Sequence, residues 1–536
     1  MNNSDTSHAE EVVAGFASPL RFVVDLLGIL VLAVVLRLLF FTGLGAGDDV
    51  IYVTQTLAHA VGGAWPPHAD HWSTRLGVTG PTTLFIWLFG PNPWGFLAFP
   101  FLISLVKVVF CYGVALAVLR GRFAALAVGI FAAVFPMDVI YASHLFPDTL
   151  NGFFSSVALV YWIRLLRTEQ IRDGVVVGMF LGLAYLCHET VILQAPIYIG
   201  LWLFASRRIR PAFFMILIVP TTFVVAEAVL YWATTGEPLY RFSSMLAQQE
   251  NPKNLAVIFS STSGGGIWTD PLLMLISSHE YGLLMIAAMI CAIAELVRGG
   301  QLRGYALWLL IGYVWSYYGT TVPHDWVPLA RDPRYTLFMT LPAALLLAQY
   351  LALMTSHLRT AALVLLAVTS AGAAALERGS GALEPYRKFA QSEFAERGTM
   401  LPYDYVIAHY VAGFERSVEF GYGPELGCGS RHAQLSAVAN LKARPLAQAK
   451  HVAISGTRNR ALLADLRSAG WSVVAEFPGE PSAARALVGQ ILKRVPSQAE
   501  RAERLLSPPG LVVLAHGPDG PPAPFSCEKT QTPSKG

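Results

Sequence analysis

Charge is what this sequence has least of. Only 14% of its 536 residues are Asp, Glu, Lys or Arg, against 54% hydrophobic, and the mean hydropathy is +0.50. A soluble chain carries roughly a quarter charged residues, so solubility along the whole length is excluded. The net charge of +3 comes without a clustered basic face, which argues against a nucleic-acid partner. The 5 cysteines form no CxxC pair, so a thiolate metal site is not expected. The turn at Ser455-Gly456-Thr457 lacks the spaced glycines of a dinucleotide fingerprint. No small-residue cleavage site follows the first apolar stretch, Phe22 to Phe41, which is therefore expected to stay as an anchor.

What the chain has instead is long apolar runs. A helix needs about 20 apolar residues to cross a bilayer, and such runs predict spans near 22–41, 96–119, 123–140, 147–166, 174–188, 190–206, 211–233, 281–297, 303–321, 335–354 and 360–376. Arginines 120, 122, 164, 167, 172, 207, 208, 210, 298, 303 and 359 fall in short loops that all lie on one side if the spans alternate. That side is the cytoplasm by the positive-inside rule, which puts the N-terminus inside a plasma or inner membrane. The longer loops 42–95, 141–147, 234–280 and 322–334 then lie outside, with everything after Ala375. Segment 81–90 is apolar but too short to cross, and is expected to lie in the interface.

From Arg378 the composition turns polar, and 451–516 reads as strand, helix, strand, helix, strand. The fold class expected is a polytopic α-helical membrane protein with a C-terminal extracytoplasmic α/β domain. Its bounds are 1–377 for the membrane domain, 378–520 for the outer domain and 521–536 for a disordered tail. An oxidising outer compartment would allow Cys428 and Cys527 to pair.

Ionisable groups near span ends must be hydrated, paired or functional, and here they gather on the outer side: Asp48 and Asp49 with Tyr52 one turn later, Asp138, His144 and Asp148, His188 and Glu189, then His324, Asp325, Arg331, Asp332, Arg334 and Tyr335. Each has a plainer reading. Asp332 before Pro333 and Asp148 after Pro147 suit helix N-termini, a lone histidine is usually an interfacial residue, and Arg37 and Lys107 are expected to snorkel. Carboxylates beside arginines nevertheless suit one chemistry: a base for a hydroxyl or amine, and a fork for a phosphate. A donor phosphate with a lipid tail would explain their place at the membrane surface.

These residues carry a resemblance. VVLRLLFFTGLGAGDDVIYVTQTLA, RLGVTGPTTLFIWLFG, FPMDVIYASHLFPDTLNGFF, GLAYLCHETVIL and DPRYTLFMTLPAALLLA occur in that order. Together they resemble the GT-C superfamily of lipid-phosphate-dependent glycosyltransferases, in the protein-mannosyltransferase-type branch that includes bacterial aminoarabinose transferases. The resemblance covers roughly residues 22–376. It departs from the pattern where Asp49 replaces a usual Glu, His144 a frequent Arg, His188 a Lys or Arg, and where Gly80-Pro81 keeps one proline of a pair.

The resemblance implies inverting transfer of a sugar from a polyprenyl-phosphate donor to an envelope acceptor. Asp48 is the implied base and Asp148 its catalytic companion. Arg334, Arg75, His188 and Tyr335 are the implied phosphate contacts, with Asp49, Tyr52 and His144 lining the substrate site. Distant members place a divalent metal beside the acid, for which Asp48 and Asp148 would supply oxygens, but this branch is expected to work without one. The rivals are a transporter or flippase, which would show an internal repeat and midplane charges, and a polysaccharide ligase or polymerase.

Overall fold

The computed structural model describes residues 19–41, 48–60, 74–90, 92–119, 121–205, 210–249, 269–319, 332–377, 451–455, 460–468, 470–478 and 510–516, with a few isolated residues beside them. The possible Cys428–Cys527 pair, His324, Asp325, Arg331 and the C-terminal tail lie outside these.

The helices in chain order are α1 (Pro19–Leu39), α2 (Asp48–Ala60), α3 (Leu76–Phe89), α4 (Pro93–Val118), α5 (Arg122–Val134), α6 (Pro136–Tyr141), α7 (Pro147–Thr168) and α8 (Ile171–Cys187). A 3₁₀ segment Glu189–Gln194 leads into α9 (Ala195–Ala205), followed by α10 (Pro211–Thr235), α11 (Tyr240–Gln249), α12 (Asp270–Ser277), α13 (Gly282–Arg298) and α14 (Arg303–Tyr318). A second 3₁₀ segment, Pro333–Met339, opens α15 (Thr340–Ala352), and α16 (Ser356–Glu377) ends the series.

Every expected span contains a helix, and among the described residues six stretches are long and apolar enough to cross a membrane. Apolar side chains such as Leu217 and Val225 on α10 and Leu358, Val364 and Leu365 on α16 are exposed, as lipid-facing residues of a membrane protein are. The run expected as one span over 123–140 is broken instead. Phe135 is extended (φ −58°, ψ 120°) because Pro136 follows: a proline clashes with a helical conformation in the residue before it.

The chain forms two compact units, residues 1–41, 74–85 and 97–377 in one, and 42–73, 86–96 and 378–536 in the other. In the first, α8 lies against α7 on one side and α10 on the other. Gly174, Gly178 and Gly182 recur every fourth residue on α8, and a Cβ on any of them would meet α10 at 2.2–2.6 Å. Close backbone approach of this kind is how membrane helices gain packing where lipid offers no hydrophobic drive.

Two basic side chains expected to snorkel are buried instead. Arg37 donates to Ser104 Oγ (2.6 Å) and to the Ala133 carbonyl (3.2 Å). Lys107 Nζ donates to Asp138 Oδ1 (2.5 Å) and to the Leu337 carbonyl (2.7 Å). Both lie inward on their helices, so a partner inside the bundle satisfies each more cheaply than reaching the interface. Lys107 thereby ties α4 to α6 and to the second 3₁₀ segment.

In the second unit, β1 (His451–Ser455), α17 (Arg460–Ser468), β2 (Trp471–Phe477) and β3 (Leu511–His516) form a three-stranded sheet in the order β1-β3-β2. Both outer strands run antiparallel to β3, so β1 and β2 are parallel to each other with α17 as their crossover. This is a split βαβ arrangement.

Candidate active site

At one end of the helical unit, the start of α7, the connection from α8 to α9 and the start of the second 3₁₀ segment bring their polar residues together. Proline fixes two of these starts. Phe146 is extended before Pro147 and is the N-cap of α7, so Asp148 stands in the first turn and is not the cap. Asp332 is a cap: its side chain accepts from the Arg334 backbone N–H at 3.0 Å.

The buried Asp148 turns one oxygen to each of two neighbours. Oδ2 lies 3.6 Å from Arg334 Nε and Oδ1 lies 3.9 Å from His188 Nε2. Arg334 is shared. Its Nε is 3.2 Å from Asp332 Oδ2, its Nη2 donates to the Tyr335 hydroxyl at 3.3 Å, and its guanidinium stands 4.7 Å from the Phe146 ring centre. His144 stacks on the same Phe146 ring at 5.0 Å, so it reaches the cluster through that aromatic ring. His188 meets Tyr335 edge to face.

His188 lies beyond the last residue of α8 and caps the first 3₁₀ segment: its Nδ1 accepts from the Thr190 N–H at 3.2 Å. A ring nitrogen that accepts carries no proton, so the neutral imidazole presents Nε2–H. Burial, followed by the neighbouring Arg75, holds the His188 pKa well below its ordinary value; Glu189 opposes this, and Arg241 and Arg334 reinforce it.

A second network backs the first. Arg75 forks onto Glu189 (Nη2–Oε1 2.7 Å, Nε–Oε2 3.3 Å). Arg241 Nη2 donates to the other side of Glu189 at 3.1 Å and to the Tyr185 carbonyl at 2.8 Å, while Nη1 donates to Glu227 at 2.9 Å. Burial works to raise the Glu189 pKa, but Arg75, His188 and Arg241 hold it well below the carboxylate range. Arg75, expected to contact phosphate, is paired here with Glu189. At the margin, Tyr141 donates to Glu280 and to Asp332 (3.3 Å).

Among the expected residues, Asp148, His188, Arg334, Tyr335 and, through Phe146, His144 come together. Asp48 opens α2 in the other unit, and its side chain lies outside the described residues. Asp49 and Tyr52 are both wholly buried there. Arg241, Glu227 and Glu280 carry no sequence motif. The signal for Glu227 is a single acid inside a 25-residue apolar helix. Among the described residues no three His, Cys, Asp or Glu are grouped to hold a metal. Asp148 faces a guanidinium and an imidazole N–H, which are ion-pair surroundings.

Part of the sequence, and the fold, are similar to known proteins. Residues 82–232 match the family described as dolichyl-phosphate-mannose-protein mannosyltransferase. The fold is similar to that of ArnT from Cupriavidus metallidurans in the apo state (TM-score 0.53, 13% identity, covering 85% of this chain and 96% of that one). It is also similar to the same protein bound to undecaprenyl phosphate (TM-score 0.55, 13% identity, covering 94% and 100%). No curated protein matches the sequence. The chain thus shares its fold with ArnT and, over residues 82–232, is similar to the protein mannosyltransferase family.

Proposed function

We propose that the protein is an inverting glycosyltransferase that moves a sugar from a polyprenyl-phosphate donor to an envelope acceptor at the outer face of the plasma membrane. The observation that carries this reading is the cluster at the end of the helical unit: one guanidinium, Arg334, at a 3₁₀ start, between two carboxylates and two aromatic rings, beside the N–H of His188. The undecaprenyl phosphate bound by the similar ArnT supports a lipid phosphate as the ligand.

In the proposed step the acceptor hydroxyl or amine attacks the anomeric carbon. A bond from acceptor to carbon forms, the bond from carbon to phosphate oxygen breaks with its electron pair, and the acceptor's proton passes to a carboxylate. The resemblance assigns that carboxylate to Asp48. Polyprenyl phosphate leaves with the added charge, which Arg334 and the Tyr335 hydroxyl would receive. Asp332, 3.2 Å from Arg334, is about one-third exposed, so an incoming anion can reach the side of the guanidinium that it occupies. The incoming phosphate replaces Asp332 as its partner. Asp148, buried beneath, keeps the guanidinium in place. The boundaries at 377/378 and 520/521, and the outer position of the second domain, belong to the same proposal.

The test is transfer in vesicles carrying a polyprenyl-phosphate sugar, with mass spectrometry of envelope lipids, glycans and proteins to identify sugar and acceptor. Folded Asp48→Asn protein is expected to lose turnover. Transfer near the wild-type rate would remove Asp48 as the base.

A further inference from the structure

Below Asp148 the polar residues continue into the bundle, where lipid-buried helices normally exclude them. Asn151 and Ser155 lie on the same face of α7 as Asp148. Across from them stand Thr190 and Gln194 of the first 3₁₀ segment. Their hydrogen bonds run in one direction. Gln194 Nε2 donates to Ser155 Oγ (3.0 Å), Ser155 Oγ to Asn151 Oδ1 (3.0 Å), and Asn151 Nδ2 to Thr190 Oγ1 (3.2 Å). Thr190 is the residue whose backbone N–H occupies His188 Nδ1. Gln194 and Asn151 are both more than nine-tenths buried.

Bonded at both ends of its amide, Asn151 links Ser155 of its own helix to Thr190 across from it. Thr190 is pinned to α7, and its N–H is held against the His188 ring. One element, α7, therefore carries both Asp148 and the anchor that orients the imidazole facing it.

We propose that Asn151 and Thr190 are positioning residues, which fix the His188 ring with Nδ1 as acceptor and Nε2–H turned toward Asp148 and the donor phosphate. The inference rests on the glycosyltransferase reading. His188 then offers phosphate a directed hydrogen bond and no charge. The groups facing the ring are Asp148 from α7, Glu189 beside it, Arg75 before α3, Arg241 from α11, and Arg334 and Tyr335 from the second 3₁₀ segment. Burial first, and then these guanidiniums, disfavour a proton on the second nitrogen of the ring.

The test compares full-length wild type with Asn151→Leu, Thr190→Val and Thr190→Ser in vesicles, with donor KM and kcat followed from pH 5.5 to 8. Thr190→Val keeps the shape and the backbone N–H but removes the oxygen that Asn151 holds, whereas Thr190→Ser keeps that oxygen. Wild type and Thr190→Ser are expected to show a donor KM that is flat across this range. Asn151→Leu and Thr190→Val are expected to lose kcat/KM by roughly tenfold at pH 7.5, the worth of one directed hydrogen bond. Their KM should then fall again toward pH 5.5, as a released imidazole takes up a proton and binds phosphate as a cation. Binding of a short-chain polyprenyl phosphate to the purified variants should follow the same pH pattern without turnover. Flat profiles in all four proteins, or a Thr190→Ser profile like that of Thr190→Val, would overturn the positioning role. Absence of transfer and of polyprenyl-phosphate binding in the wild type would instead overturn the glycosyltransferase reading.

Discussion

The pair Arg75–Glu189 decides whether Arg75 is a ligand for phosphate or part of the frame behind it. Both side chains are well inside, 5% and 16% exposed, with 2.7 Å between Nη2 and Oε1. Removing one member of a buried pair costs about 3–5 kcal/mol, because the other is left as a buried charge. Arg75→Met leaves Glu189 with Arg241 at 3.1 Å as a partner, so its cost falls at the low end, about 3 kcal/mol. Glu189→Leu takes a carboxylate from two guanidiniums at once, and although Arg241 keeps Glu227 at 2.9 Å, the cost rises to about 4 kcal/mol. In the double variant no charge is stranded, since Arg241 and Glu227 remain as a matched pair. Its cost should therefore be at least about 2 kcal/mol less than the sum of the two singles. Equilibrium unfolding in mixed detergent and SDS micelles measures the cycle, and donor KM measured on the same proteins gives the functional half. If Arg75 belongs to the frame, the double variant recovers a donor KM within a few-fold of wild type. Additive stabilities would refute the pairing. A donor KM that stays more than tenfold raised in a restored double variant would return Arg75 to the phosphate site.

Arg334→Ala should raise donor KM by tenfold or more, and Arg334→Lys should recover only part of it because the fork is lost; an unchanged KM in vesicle assays would remove Arg334 from the site. Asp332→Asn keeps the cap on Arg334 N–H but removes a competitor for the guanidinium, so donor KM should fall, and a rise would show that Asp332 assists binding. Gly178→Leu drives a Cβ to 2.6 Å from the Met215 carbonyl and 2.7 Å from Val219, which should cost about 3 kcal/mol. Gly372→Leu, with open space at its Cβ, should be tolerated, and equal thermal shifts for the two would refute the tight α8–α10 contact. Burial pulls His59 down to about 4 from an ordinary 6.5. The unfolded chain then takes up a proton that the folded one refuses, so stability of the unit holding α2 should fall as pH drops from 6.5 towards 4. His59→Phe should abolish that slope in hydrogen exchange of α2, and an unaltered slope would assign it to another group.

Helix positions were legible because a bilayer leaves few alternatives: an apolar run of sufficient length has to satisfy its backbone internally, and runs 22–41 through 360–376 each contain a helix. The break at Pro136 was missed, because the hydropathy of 123–140 is the same on both sides of it and masks the proline's effect on Phe135. At the site, motif order singled out Asp148, His188, Arg334 and Tyr335, and they do meet. The pairing of Arg75 with Glu189 was not legible, because a guanidinium that binds phosphate and one that binds a carboxylate look alike in sequence. Its partner Glu189 is 114 residues away and Arg241 lies a further 52 beyond that, so neither pairing has a local signature. The same holds for Lys107 and Asp138, which sit 31 residues apart and meet through the turn between α5 and α6. Asn151 illustrates the more general reason. An amide in a helix next to a site gains its meaning only from what faces each of its two ends, and here one end faces α7 itself and the other the cap of His188. In a chain with so little charge, every buried ionisable or amide group must find a partner or a ligand. Tracing those partners pairs Arg75 and Arg241 with Glu189 and Lys107 with Asp138, and sets Arg334 beside Asp332, a carboxylate about one-third exposed, where an incoming anion can compete for it.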